Sequence, residues 1–286
     1  MICSVVGPKT RFRYAKCYFQ TARTLTSKNL FNFPQSGVYD EDVARVNAAF
    51  KKVMMSQKDW GVELAPEVYA AKLRKWIDSY FAKLCQHPTY TEAVAACEHT
   101  EIIVPVRDGN DAQVKVLVHT PKNVTDKDKN IAMVYAHGGA VISGSADLYK
   151  PALSLLAKES GMVVFNVDYR LAPETKCPKN ILDFYCALKH VIENAEALGI
   201  DSDKVGISGE SGGGYICFGT MVMLAQRDES HLVRAAFPII PMVSDYFFSD
   251  PRSMTEEERD NACGMRSTWR AIAKVSILQA RKTTSF

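Results

Sequence analysis

Gly209-Glu210-Ser211-Gly212-Gly213 follows the short apolar run Val205-Gly206-Ile207-Ser208 and precedes a segment of helical character beginning near Gly214. A strand, a sharp glycine-rich turn and a helix in that order read as a nucleophile elbow. Small residues two before and two after the serine let neighbouring backbone pass where a Cβ would clash, leaving the Ser211 hydroxyl at the top of a sheet. A lone G-x-S-x-G match carries little weight, because a glycine-rich turn with an incidental serine is spelled the same way. Here two further segments support it.

The first is Met133-Val134-Tyr135-Ala136-His137-Gly138-Gly139-Ala140, an apolar run that ends abruptly in glycines. It predicts an oxyanion-hole loop. A carbonyl attacked by serine becomes a tetrahedral oxyanion, which preorganised N–H donors about 3 Å away stabilise by several kcal/mol. The expected donors are the amides of Gly138, Gly139 or Ala140, joined by that of Gly212 just after the nucleophile. His137 reads as a structural histidine bracing this loop, with a catalytic base as the alternative. Gly209, Glu210 and Gly213 are expected to support the elbow.

The second is Asp168-Tyr169-Arg170-Leu171-Ala172-Pro173-Glu174, the polar exit of a buried-strand pattern that begins at Met162. H-G-G-A, D-Y-R-L-A-P-E and G-E-S-G-G, in this order and spacing, resemble the hormone-sensitive-lipase branch of the α/β-hydrolases. That branch includes arylacetamide deacetylase-like esterases and plant carboxylesterases, and the likeness covers roughly residues 101–253. It implies carboxylic-ester hydrolysis through a Ser211 acyl-enzyme on a small apolar ester, with no cofactor and no metal. It also implies that the stretch from Asp168 to Glu174 is mainly architectural, with Arg170 and Glu174 forming a buried ion pair. The chain departs from the family at Ala140, where a third glycine is usual, at Val141, where an aromatic is usual, and at Glu210-Ser211-Gly212, where Asp-Ser-Ala is usual. None of these removes a backbone donor.

Around the motifs, strand-like runs at 102–106, 114–119, 133–136, 163–167, 205–208 and 236–240 alternate with helical patterns at 149–160, 179–198 and 214–226. Such alternation predicts an α/β fold with a mostly parallel sheet and helices on both faces. The first two runs predict an antiparallel hairpin through Asp108-Gly109-Asn110. With 286 residues, 47% of them hydrophobic, the chain is long enough to bury a core without disulfides. Its eight cysteines are scattered, with no C-x-x-C pair, and read as reduced thiols. No apolar run approaches the ~20 residues of a transmembrane helix. Asn123-Val124-Thr125 is a glycosylation sequon, expected to be unused without an export signal.

Residues 1–39 hold six basic side chains and no acidic one, leaving 29 basic against 32 acidic in the remainder. The net charge of +3 therefore belongs to the leader, and the slightly acidic body gives no reason to expect nucleic-acid binding. An organelle transit segment and a disordered extension both fit this leader, with a cytoplasmic body as the expected location. Residues 40–98 read as a helical cap region: apolar residues recur at three- and four-residue steps, and Pro66 stands where a helix can begin. The resemblance implies that such a region covers the active site; helices merely packed on the core have the same periodicity. The hydrolase domain is expected over 99–266, followed by an atypical tail at 267–286.

A serine hydroxyl needs a base within hydrogen-bond reach, oriented by an acid, and in this fold the order is serine, acid, histidine. Of His87, His99, His119, His137, His190 and His231, only His231 follows the elbow. A helix of about 15 residues would carry the chain some 20 Å from Ser211 before reaching it, which argues against that histidine. The resemblance implies an acid and a histidine after two further strands, for which the tail offers no pattern. Asp245, Asp250 and Asp260 read as surface acids. The sequence-level expectation is thus a chain lacking its last two strands and its triad partners, with the 236–240 run as an exposed, aggregation-prone edge. Two functions remain open: a serine ester hydrolase, inactive without those partners, and a non-catalytic binding protein of the same fold.

Overall fold

The computed structural model describes residues 65–109, 111–122 and 131–242. The basic leader, the helical pattern before residue 65, Asn110, the sequon, the three late aspartates and the tail lie outside the described residues. The chain divides into two compact units, Met1–Gln57 and Lys58–Phe286, and every described residue belongs to the second.

Six strands form one sheet: β1 (Cys97–Val106), β2 (Ala112–Pro121), β3 (Ala132–Ala136), β4 (Val163–Val167), β5 (Val205–Glu210) and β6 (Ala235–Ile239), in the order β1-β2-β4-β3-β5-β6. β2 pairs antiparallel with both β1 and β4, while β4, β3, β5 and β6 run parallel. The helices are α1 (Pro66–Leu84), α2 (Pro88–Ala95), α3 (Ala146–Ser160), α4 (Lys179–Glu193) and α5 (Gly212–Gln226). β3 and β4 are buried at every position, as expected of parallel strands covered on both faces. The main core lies between the sheet and α4 with α5, joining Val134, Phe165, Ile207, Phe184, Leu188 and Ile216. A second cluster on the opposite face gathers Met133, Tyr135 and Val164 beneath Tyr149 and Leu153 of α3.

Local chemistry sets several boundaries. Ser145 caps α3, its Oγ accepting from Leu148 N at 3.1 Å, so the helix starts three residues before the apolar periodicity. It ends where Gly161 takes φ 71° and donates to Ala157 O, a left-handed terminus that glycine supplies without a Cβ penalty. α4 stops at Glu193, and turns follow as far as Gly199. β1 begins at Cys97, five residues before the expected run, because its partner β2 also extends to Pro121.

The longer β1–β2 ribbon sets His99 opposite His119. His99 Nε2 and His119 Nδ1 lie 2.9 and 3.2 Å from Ser154 Oγ, which itself donates to Lys150 O at 2.7 Å. Both imidazoles therefore donate to one oxygen. His119 Nε2 is buried with no partner among the described residues, so a second proton there would have no acceptor. Burial, with lesser contributions from His99 and Lys150, pushes His119 down to about 3. A folded-state value below the unfolded value of about 6.5 means that the unfolded chain binds the extra proton. The stabilisation is present above pH 6.5 and is lost as pH falls toward 3. We predict that urea unfolding at pH 4.5 shows about 2–3 kcal/mol less stability than at pH 6.5 from this site, and that His119→Gln flattens much of that slope. Equal pH slopes for His119→Gln and the parent would refute the assignment.

β6 borders the sheet among the described residues. Ser211 N donates to Ile239 O, and the parallel register sets Ile239 beside Glu210. The amides of Ala235, Phe237 and Ile239 thus face β5, and those of Ala236 and Pro238 face outward. Pro238 has no N–H to offer on that outward side, the position where a strand tolerates proline. Phe237, Ile239 and Ile240 are exposed.

Candidate active site

Ser211 sits between the end of β5 and the first residue of α5 with φ 52° and ψ −113°. A non-glycine residue in this region carries strain of about 1–3 kcal/mol and persists only where its surroundings hold it. The restraints are visible on both sides. Ser211 N donates to Ile239 O at 2.9 Å; its carbonyl accepts from Tyr215 N at 3.0 Å and, more weakly, from Met242 N at 3.4 Å. β6 and its exit therefore clamp the elbow from outside, while β3 closes it from within.

The glycines explain how the chain fits there. A Cβ on Gly209 would stand 2.8 Å from Ala136 O and closer still to Gly213 O, and one on Gly213 would collide with Ala136 O. Both obstacles are backbone, so neither can swing aside. At Gly212 a Cβ would lie 2.6 Å from Val141 N and 2.8 Å from Ala140 N. The start of α5 is thus pressed directly against the loop after β3, which brings the Gly212 and Ala140 amides to one place. The Gly138, Gly139, Ala140 and Gly212 amides donate to no other group among the described residues.

That loop is a left-handed turn. Gly139 has φ 114°, and Ala140 and Val141 follow at 58° and 56°; for a β-branched residue such as Val141 this conformation is an outlier. Gly139 O accepts from Ile142 N at 3.0 Å, Ser143 N at 2.9 Å and Ser143 Oγ at 2.9 Å. Val141 is buried in the main core, and its carbonyl accepts from Ala172 N at 2.9 Å. Ala140 and Ile142 face the other way, against Tyr69, Ala70 and Leu73 of α1. Ala140 occupies the left-handed position without glycine's freedom, and the absent side chain at Gly212 leaves room for the loop's close approach.

His137 is fully buried. Its Nδ1–H donates to Gly138 O at 2.8 Å, and its ring stacks on Tyr169 with centroids 4.3 Å apart and an interplanar angle of 16°. The Tyr169 hydroxyl donates to His137 O at 2.7 Å. Burial pushes the imidazole's proton affinity down, and Nε2 has no partner among the described residues. These contacts brace the backbone of the loop. Glu210 also acts locally: its Oε1 accepts from the Tyr149 hydroxyl at 2.7 Å, and burial followed by the Glu210 charge raises that phenol's affinity for its proton. Tyr149 Oη lies 2.7 Å from where a Gly138 Cβ would be, so a side chain there would have to displace the Tyr149 hydroxyl.

The expected Arg170–Glu174 ion pair does not form. Arg170 turns inward to Asp183, with contacts of 2.5–3.1 Å, and to Asp108 at 2.8 Å. Both carboxylates are almost wholly buried. Glu174 points outward and takes a bidentate pair from Arg74 of α1 at 2.8 and 2.7 Å. Four residues apart on an irregular turn, Arg170 and Glu174 lack the shared face that such spacing gives on a helix. Arg74 was invisible to motif reading, because its partners lie 68 to 100 residues away.

No hydrogen bond joins a histidine to Ser211 among the described residues. His231 lies in the turn Ser230–Leu232, beside the start of β5, whereas Ser211 follows its end. His99 and His119 are committed to Ser154. No group of three or more metal-ligating side chains occurs among the described residues, and no described helix is long and apolar enough to cross a membrane.

Residues 133–284, just over half of the chain, match the family described as alpha/beta hydrolase fold. An arylesterase of Saccharolobus solfataricus is 33% identical over 133 residues, which are 46% of this chain and 42% of that protein. Arylacetamide deacetylase-like 4 family member 1 of Mus musculus is 30% identical over 146 residues, 51% of this chain and 36% of its own. An esterase structure from Pyrobaculum calidifontis superposes with a TM-score of 0.56 at 26% identity, covering 74% of this chain and 66% of that one. The matched region spans under half the length of these curated relatives.

Proposed function

Since the chain belongs to the α/β-hydrolase fold family, we propose that it is built as a serine carboxylic-ester hydrolase with Ser211 as nucleophile. Ser211 Oγ attacks the ester carbonyl and its proton passes to a base; the carbonyl oxygen, now an oxyanion, lies among the amides of Gly139, Ala140 and Gly212. Collapse expels the alcohol and leaves an acyl-enzyme on Ser211, which water hydrolyses. The observation that carries this reading is the convergence of the strained Ser211 backbone with amides that have no other acceptor among the described residues. Such preorganised donors stabilise a developing oxyanion by about 2.7–4 kcal/mol each. All six histidines of the chain lie among the described residues and none is hydrogen-bonded to Ser211, so no residue is assigned as the base.

Hydrolysis of a short-chain nitrophenyl ester tests the proposal: turnover is expected to fall by at least about a thousandfold in Ser211→Ala. Turnover that survives the substitution would refute it. The lack of an imidazole bonded to Ser211 favours a second reading, a pocket that binds such a ligand without turning it over. Ligand binding unchanged in Ser211→Ala, with no hydrolysis by the parent chain, would select that reading.

A further inference from the structure

Arg74 of α1 reaches both the oxyanion loop and the segment that braces it. Its Nε donates to Ile142 O at 2.7 Å, its Nη2 to Ala172 O at 3.0 Å, and both Nη atoms to the Glu174 carboxylate. The two carbonyls flank a third contact, Ala172 N to Val141 O. Arg74 therefore grips the chain immediately after the left-handed pair Ala140-Val141 and also the segment to which Val141 is bonded. If that pair relaxed to negative φ, the Ile142 carbonyl would rotate away from the guanidinium, and the Ala140 amide would turn from its place beside Gly212. Strained backbone persists only where it is over-determined, and this grip is one of the restraints.

We infer that Arg74 is a positioning residue for the oxyanion loop, through which α1 sets the aim of the Ala140 amide. The inference rests on the hydrolase reading above. Global stability is not its main contribution, because Glu174 is 61% exposed and Arg74 30% exposed, and an ion pair in that setting contributes little. The fork geometry is what matters. Lysine has the charge but cannot meet two carbonyls and a carboxylate together.

The test uses the full chain with Arg74→Ala and Arg74→Lys, rates being normalised to the concentration of folded protein. In Arg74→Ala, kcat for a short-chain nitrophenyl ester is expected to fall tenfold or more, with KM within about twofold, the signature of an interaction made in the transition state. Ethylguanidine, which the partial exposure of Arg74 admits, is expected to restore part of that rate. Arg74→Lys should fall between parent and alanine variant. A kcat within twofold of the parent in Arg74→Ala would overturn the inference, as would a loss carried entirely by KM or by melting temperature and not rescued by ethylguanidine. If Arg74→Ala does not fold, Arg74→Lys decides by the same criteria. A parent chain without turnover overturns the hydrolase reading alone. Amide hydrogen exchange then decides the role of Arg74: at least tenfold faster exchange over residues 139–143 in the variant, with β5 unchanged, supports it, and unchanged loop exchange overturns it.

Discussion

Gly213→Ala is expected to lower stability by at least about 3 kcal/mol and to reduce any ester turnover of the folded fraction at least about a hundredfold. The new Cβ would collide with the carbonyl oxygen of Ala136 and stand 2.6 Å from that of His137. Both obstacles are backbone at the end of β3 and the start of the oxyanion loop. Overpacking of side chains costs about 1–3 kcal/mol because rotamers can yield; here the strand itself must move. A displacement of about 1 Å at a reacting centre costs on the order of a hundredfold in rate. For a unit of this size the stability loss corresponds to roughly 6 °C or more in Tm. Gly161→Ala separates clash from conformational cost, since its φ is 71° and a Cβ there meets nothing within 4 Å; about 1 kcal/mol is expected. Equal effects at the two glycines would mean that the elbow is not packed as described.

Arg170→Met is expected to cost about 3–5 kcal/mol, the penalty for leaving a buried charge without its partner. Asp183 is fully buried and receives Nε and Nη2 of Arg170 as well as the Arg170 backbone N–H, and the pair raises the affinity of Arg170 for its proton. Arg170→Lys should recover only part of the loss, because a single ammonium cannot reproduce the fork. Adding Asp183→Ala to Arg170→Met should return part of the stability, since the stranded carboxylate goes with it; the two effects will not add. Chemical denaturation of the four proteins reads both statements. A loss below about 1 kcal/mol in Arg170→Met would contradict the ion-pair geometry. The cluster lies under the loop that carries Ala172, so the damage should also reach the Val141 contact.

These two sites differ in how far the sequence discloses them. The requirement for glycine at Gly209 and Gly213 is local: a serine on a strand-to-helix turn needs it whatever the rest of the chain does, so the elbow could be read residue by residue. The alternation of buried runs and helical periodicity was equally legible, including the antiparallel β1–β2 pair. What escaped depends on distant chain. Glu174 is four residues from Arg170, yet it pairs with Arg74, 100 residues away, and nothing in either neighbourhood announces the partner. The left-handed pair at Ala140 and Val141 runs against the preferences of both residues, and only the packing of Val141 into the core, the Ala172 bond and Arg74 make it tenable. β1 outran its expected start because His99, polar in the sequence, is answered across the ribbon by His119 and from α3 by Ser154.

The family likeness fixes the class of chemistry that such a loop and elbow serve in related esterases, while the nucleophile in this chain rests on the geometry around Ser211. Mass-spectrometric mapping after exposure of the folded chain to a fluorophosphonate tests it most directly. A single phosphonyl adduct on Ser211, absent from Ser211→Ala and abolished by prior unfolding, is the predicted result. A folded chain that stays unlabelled, or that takes the adduct on another residue while Ser211 remains free, would contradict it.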